Sequence, residues 1–300
     1  MNFKIAIKNL FKDYWGVISL IYISTIILIS IFAYWISPDS SPNANQMNLK
    51  IHSKSPGFTS FILKIPKNYN IDKLSISDND IVIKDYKIVN NKLFYSEVGS
   101  FSKDQKQIDI TKILKDYDVK EFESKYVKKK TFYLGTDKYG RDMLSRMIIG
   151  SRVSISIGFV AVIISLIIGV LIGLTSGYFG GLFDDFIVWL INVFWAIPTL
   201  LLVIAITISL GKGYWQVFFA VGLTMWVEVA RLVRGQVRTL KEKLFIQSAK
   251  VLGFSSYRIM LNHILPNLLG PLIVISAANF ASAILIESGL SFLGIGVQPP

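Results

Sequence analysis

The sequence predicts an all-α integral membrane helix bundle with one small, β-containing insertion outside the cytoplasm. Three observations predict it. Five mainly apolar runs, 16–36, 153–174, 186–210, 214–229 and 268–286, approach the length of a membrane-crossing helix, the fourth being short for one. Hydrophobic residues make up 52% of the 300 and mean hydropathy is +0.50, which is more apolar surface than a soluble core absorbs. Residues 37–132 break the pattern with a block rich in Lys, Asp, Asn and Ser and without Arg.

The formal charge of +12 falls in separated basic blocks with apolar spans between them, which suits membrane loops and leaves no expectation of nucleic-acid binding. The absence of cysteine excludes disulfides, thiolate metal sites and thiol nucleophiles. His52 and His263 are too few and too far apart in sequence to propose a site.

The first run follows Lys4, Lys8 and Lys12, is longer than a signal peptide's core and lacks a small-residue cleavage pattern, so it reads as an uncleaved anchor with a cytoplasmic N-terminus. Residues 37–132, opened by a Ser/Pro/Asn linker, then form an extracytoplasmic subdomain. Within it Ile81, Ile83, Asp85, Lys87 and Val89 alternate with Val82, Lys84, Tyr86 and Ile88 across a strand, and Asn90-Asn91 turns the chain into a second strand at 92–95. A solvated insertion packed on the spans accounts for this block; contact with a substrate-delivering protein is the functional alternative.

In the second run Gly169, Gly173 and Gly177 recur every four residues, a stripe along which a neighbouring backbone can approach closely. Pro198 removes one helical hydrogen bond and bends the third run. The turn at 175–185 carries Asp184 and Asp185 without a base, whereas the stretch after Val229 carries Arg231, Arg234, Arg238, Lys241, Lys243, Lys250 and Arg258 against Glu242. That asymmetry places 231–266 in the cytoplasm. Glu228 and Glu287 are the ionisable groups left near membrane depth. Glu228 can pair with Arg231, and Glu287 either lines a pathway or reaches water.

Two motifs say more. Leu134-Gly-Thr-Asp-Lys-Tyr-Gly-Arg-Asp-Met-Leu-Ser-Arg146, followed by Gly150-Ser-Arg-Val-Ser154, reads as a turn entering a helix. Gly135 opens it, Thr136 or Asp137 caps amides, Gly140 permits a left-handed turn, and Arg141 can pair with Asp142. Gln247-Ser-Ala-Lys-Val-Leu-Gly253, continuing to Ile264-Leu-Pro266, reads as two short helices about Gly253, with Ser248 and Ala249 small enough for close contact with another protein.

In this order and spacing the motifs resemble the second permease subunit of ATP-driven (ABC) importers of dipeptides, oligopeptides and nickel. The resemblance runs from Gly135 to Pro300 and takes in Gly177-Tyr-Phe-Gly-Gly181, Ala196-Ile-Pro-Thr-Leu-Leu-Leu202, Ala230-Arg-Leu-Val-Arg-Gly-Gln236 and Leu290-Ser-Phe-Leu-Gly-Ile-Gly-Val-Gln-Pro-Pro300. It implies a type I ABC importer permease-like bundle in a bacterial cytoplasmic membrane, non-enzymatic and without a cofactor of its own. It also implies a homologous second permease, two cytoplasmic ABC ATPases that use ATP, and an extracytoplasmic substrate-binding protein as partners. The sequence agrees that no Gly-x-x-x-x-Gly-Lys-Ser/Thr loop occurs. The resemblance carries ATPase coupling to Gln247, Ser248, Ala249 and Gly253, and structural motif roles to Gly135, Thr136, Asp137, Gly140, Arg141, Asp142, Pro198 and Pro266.

Three departures stand out. Relatives of this kind have Glu-Ala-Ala at Gln247-Ser248-Ala249, often an Arg and an Asp where Trp189 and Asn192 stand, and a sixth span beyond the final motif, where this sequence stops at Pro300. The resulting expectation divides the chain into 1–36, 37–132 and a permease core at 133–300. A receptor sensing through 37–132 and an ion-coupled secondary transporter are the rival classes; the first lacks a signalling domain and the second lacks buried charges or internal repeats.

Overall fold

A computed structural model describes residues 8–64, 80–99, 105–110, 119–211 and 213–296. The elements run α1 (Tyr14–Ile31), β1 (Phe58–Lys64), β2 (Asp80–Val89), β3 (Lys92–Glu97), β4 (Lys106–Asp109), α2 (Val119–Tyr126), β5 (Val127–Phe132), α3 (Met143–Phe179), α4 (Gly181–Ala196), α5 (Thr199–Leu210), α6 (Tyr214–Lys241), α7 (Leu244–Val251) and α8 (Ser256–Phe292). They divide into two compact units, one drawn from 1–31 and 151–300 and the other from 32–150. Lys4, Lys212 and the Gln298-Pro299-Pro300 end of the last motif lie outside the described residues.

The smaller unit holds an antiparallel five-stranded sheet of order β4-β3-β2-β1-β5. Asn90 and Asn91 both take positive φ, at 49° and 58°, and join β2 to β3 as the sequence predicts. The predicted alternation along β2 fails part-way, because a bulge between Ile83 and Asp85 shifts the register. Ile81 and Ile83 enter the core before it, and after it Tyr86 and Ile88 do so.

In the larger unit α1 buries only Ser30. Helix α3 has 37 residues, about 55 Å at the helical rise, so it overruns the bilayer's hydrocarbon at one end or both. The glycine stripe is a seam as expected. A Cβ added at Gly169 would lie 2.5 Å from the Val229 Cβ, one at Gly173 2.6 Å from the Ala230 carbonyl, and one at Gly177 2.9 Å from the Arg234 carbonyl. Backbone thus meets backbone along α3 and α6.

The third run bends sharply at Pro198, as the sequence predicts. It breaks by 92° between α4 and α5, of 16 and 12 residues, neither long enough to cross alone. Proline accounts for the break: Ile197 is forced into the extended region (φ −96°, ψ 127°), and Pro198 caps α5 rather than kinking a continuous helix. The fourth run is longer than its apolar part, since α6 continues for 28 residues through the basic stretch to Lys241. It is also the most enclosed helix, with Val217, Val221, Ala230 and Val233 among its buried residues.

Candidate functional site

The stretch 231–266 is built on α6, α7 and the first turns of α8. On α7, Ile246 and Ala249 stand three residues apart and face inward, packing in one cluster with Val233 and Val237 of α6, Leu174 and Tyr178 of α3 and Ile259 of α8. The opposite face carries Leu244, Val251 and Leu252, 81%, 88% and 71% exposed, with Ser248 between them and Gln247 beside them. This spacing lines up four residues on one side of the helix. Ala249, expected at the partner-facing surface, is only 4% exposed and supports α7 from behind.

Gly253 ends α7. Its φ is +78°, its amide bonds the Lys250 carbonyl at 3.0 Å and the next amide, of Phe254, bonds the Ala249 carbonyl at 3.1 Å, the paired closure of a Schellman motif. A Cβ there would meet nothing within 4 Å, so the demand for glycine comes from φ and not from a neighbour. Ser255 restarts the helix by accepting from the Arg258 amide at 3.4 Å. The second short helix of the sequence reading is therefore the opening turn of α8. A π turn at Ile259–Ile264 carries the chain past Pro266, whose missing amide would otherwise leave a gap in the ladder, so Pro266 lies inside the helix and does not close the segment.

A recess of about 500 Å³ lies beside α7, lined by Gly180, Gly181, Asp184, Arg238 and Glu242 along with Gln247 and others. Gln247 donates from Nε2 to the Glu242 carbonyl at 3.1 Å. On another part of the lining Asp184 receives both prongs of the Arg234 guanidinium, at 2.5 and 2.7 Å, with Arg238 at 4.0 Å. This pair joins α4 to α6 and resolves the acidic turn that the charge pattern left without a partner. The two residues are 50 apart, a spacing with no sequence signature.

Arg231 does not pair with Glu228. Its guanidinium lies 4.0 Å from the Trp195 ring centroid, a cation–π contact that also ties α6 to α4, while Glu228 is exposed. Trp189 and Asn192 are both exposed on α4, so no buried charge is missing a partner there. Glu287 is buried in α8 and accepts from the Ser291 hydroxyl at 2.6 Å.

The other motif, 134–146, forms a clamp within the smaller unit. Gly135 and Gly140 have φ of +75° and +73°, and a Cβ on Gly140 would fall 1.8 Å from the Asn48 carbonyl. Thr136 donates to the Ile51 carbonyl and accepts from the Lys54 amide at 2.9 Å. Asp137 accepts the amides of Tyr139 and Arg141 at 2.9 and 3.0 Å and the Arg141 Nε at 2.7 Å, and Arg141 reaches on to Asn45 at 2.9 Å. Burial works to raise the Asp137 carboxyl, but these donors outweigh it and hold the group below the usual carboxylate range. The expected Arg141–Asp142 pair does not form, because Asp142 caps α3, accepting from the Leu144 amide at 3.2 Å and the Ser145 hydroxyl at 2.7 Å. Ser145 in turn accepts the Asp39 amide at 3.0 Å. The clamp thus fastens 39–54 to the start of α3.

Residues 169–300 match the family model of binding-protein-dependent transport system inner membrane components, and residues 2–56 match that of the N-terminal TM domain of oligopeptide transport permease C. The oligopeptide transport system permease protein OppC of Bacillus subtilis is 39% identical over 171 residues, 57% of this chain and 56% of the relative. OppC of Escherichia coli strain K12 is 45% identical over 168 residues, 56% of each. The dipeptide transport system permease protein DppC of Bacillus subtilis is 39% identical over 168 residues, 56% of this chain and 52% of the relative. The chain spans little more than half the length of these relatives.

Proposed function

Because residues 169–300 match the family model of binding-protein-dependent transport system inner membrane components and 2–56 that of the N-terminal TM domain of oligopeptide transport permease C, we propose that the chain is a permease subunit of an ATP-driven importer of dipeptides or oligopeptides. It forms half of a translocation pathway with a homologous permease, receives peptide from an extracytoplasmic binding protein, and is driven by two cytoplasmic ABC ATPases that carry all the ATP chemistry. The chain crosses a bacterial cytoplasmic membrane several times, with its N-terminus and 231–266 inside and 37–132 outside.

The observation that carries this reading is the two-sidedness of α7. A helix of eight residues cannot hold itself together in water, and this one is pinned by Ile246 and Ala249 while Leu244, Val251 and Leu252 remain uncovered beside a basic segment. Apolar side chains exposed outside the spans call for a protein surface to cover them. With the neutral Gln247 on α7, docking proceeds by shape and apolar contact, without an ion pair from that position.

Gly253→Val tests the reading. A β-branched residue at φ +78° is strained by about 1–2 kcal/mol, enough to unwind the end of α7 without reaching the spans. In a reconstituted complex the variant should insert and hydrolyse ATP but lose about nine-tenths of its uptake, in line with that strain. Wild-type uptake would remove α7 as the coupling element.

A further inference from the structure

Three elements converge on the Gly177-Tyr-Phe-Gly-Gly181 stretch at the end of α3. Tyr178 is 7% exposed and sits in the same cluster as Ile246 and Ala249, the inward face of α7. Two ammonium groups lie near its ring. Lys241, at the end of α6, stands 5.7 Å from the ring centroid and also donates to the Tyr178 carbonyl at 2.6 Å. Lys250, on α7, stands 5.4 Å from the centroid. One aromatic ring is therefore held by charges from α6 and α7 while its backbone closes α3, where a cation also suits the helix dipole.

Gly173 and Gly177 bring the backbones of α3 and α6 into contact beside the ring. The recess of about 500 Å³ opens beside the same elements, lined by Gly177 of α3, Lys241 of α6, Lys250 of α7 and Asp184 of α4. The link to α4 runs through Gly180 and Gly181, both at positive φ and with nothing within 4 Å of an added Cβ. Displacement is carried by contiguous packed side chains and hydrogen-bonded groups.

We infer that Tyr178 is the positioning residue through which movement of α7 reaches the spans, its ring gripped by Lys250 and Lys241 so that α3 and α6 move with α7. This rests on the permease reading and names the route within it.

The test uses the complete complex with its ATPases and binding protein in proteoliposomes. Tyr178→Leu keeps apolar volume and removes the ring face; Lys250→Met keeps the stem and removes the charge at an exposed position. Both complexes should assemble and retain unstimulated ATP hydrolysis. Peptide-stimulated hydrolysis and uptake should fall about tenfold for Tyr178→Leu and about threefold for Lys250→Met, the range expected when cation–π contacts are lost, and Tyr178→Phe should restore near wild-type coupling. Wild-type stimulation in Tyr178→Leu would overturn the inference. So would a Tyr178→Leu defect confined to yield while Lys250→Met couples normally, or equal damage from Tyr178→Phe. A wild-type complex that retains no ATPase would instead overturn the permease reading, and this route with it.

Discussion

Arg234→Ala is expected to lower the unfolding free energy by about 2 kcal/mol, because it leaves the Asp184 carboxylate, only 6% exposed, with Arg238 at 4.0 Å in place of its bidentate partner. Asp184→Ala should do similar damage by stranding the guanidinium. The pair is the polar link between α4 and α6, supplemented by Arg238 at 4.0 Å and by Arg231 over Trp195. Removing both partners with residues of like shape, Asp184→Leu with Arg234→Met, should recover most of the loss, since neither charge is then left without its partner. Thermal denaturation of detergent-solubilised protein reads all three. Additive losses in the double variant would mean that the two side chains do not depend on each other.

The second large effect is expected at the α3–α6 seam. Gly173→Val places a Cβ 2.6 Å from the Ala230 carbonyl and 2.8 Å from the Val233 Cβ, with two further carbons beyond it. Backbone cannot yield as a flexible side-chain tip can, so the helices must separate and with them every contact along the stripe from Gly169 to Gly177. A loss of about 3 kcal/mol or more is expected, at the upper end of overpacking penalties, with little monodisperse protein on size exclusion. Gly150→Val, where an added Cβ meets nothing within 4 Å, is the comparison and should behave as wild type. Equal yields would contradict backbone contact at the seam.

What the sequence shows and what it hides follow one physical division. The glycine stripe was legible because helical period alone puts Gly169, Gly173 and Gly177 on one face, and the hairpin was legible because Asn90-Asn91 is a local turn signal. The bulge in β2 was not, since it is defined only by the partner strand, between the Ile83–Glu97 and Asp85–Ser96 pairings. Span existence could be read and span length could not. Polarity begins after Val229, but a helix ends where capping or packing ends it, and α6 runs on to Lys241. Pro198 announced a disturbance; its size, 92°, depends on what surrounds the two halves.

The candidate coupling element divides in the same way. Gly253 could be recognised because its backbone requirement is local, and the closure at Lys250 and Ala249 bears that out. Which of Ser248 and Ala249 faces outward could not be read from their size. The Asp184–Arg234 pair and the placement of Lys241 and Lys250 against Tyr178 join residues far apart in sequence, and periodicity has nothing to say about them.

In the proposed complex the outer face of α7 meets an ATPase. The chain contains no cysteine, so Ser248→Cys on that exposed face introduces a single thiol without a background. In membranes holding the assembled complex, a short thiol-reactive cross-linker at this position should join the chain to an ATPase subunit. A thiol at position 248 that reacts with a soluble maleimide, yet never cross-links to an ATPase in those membranes, would contradict that contact.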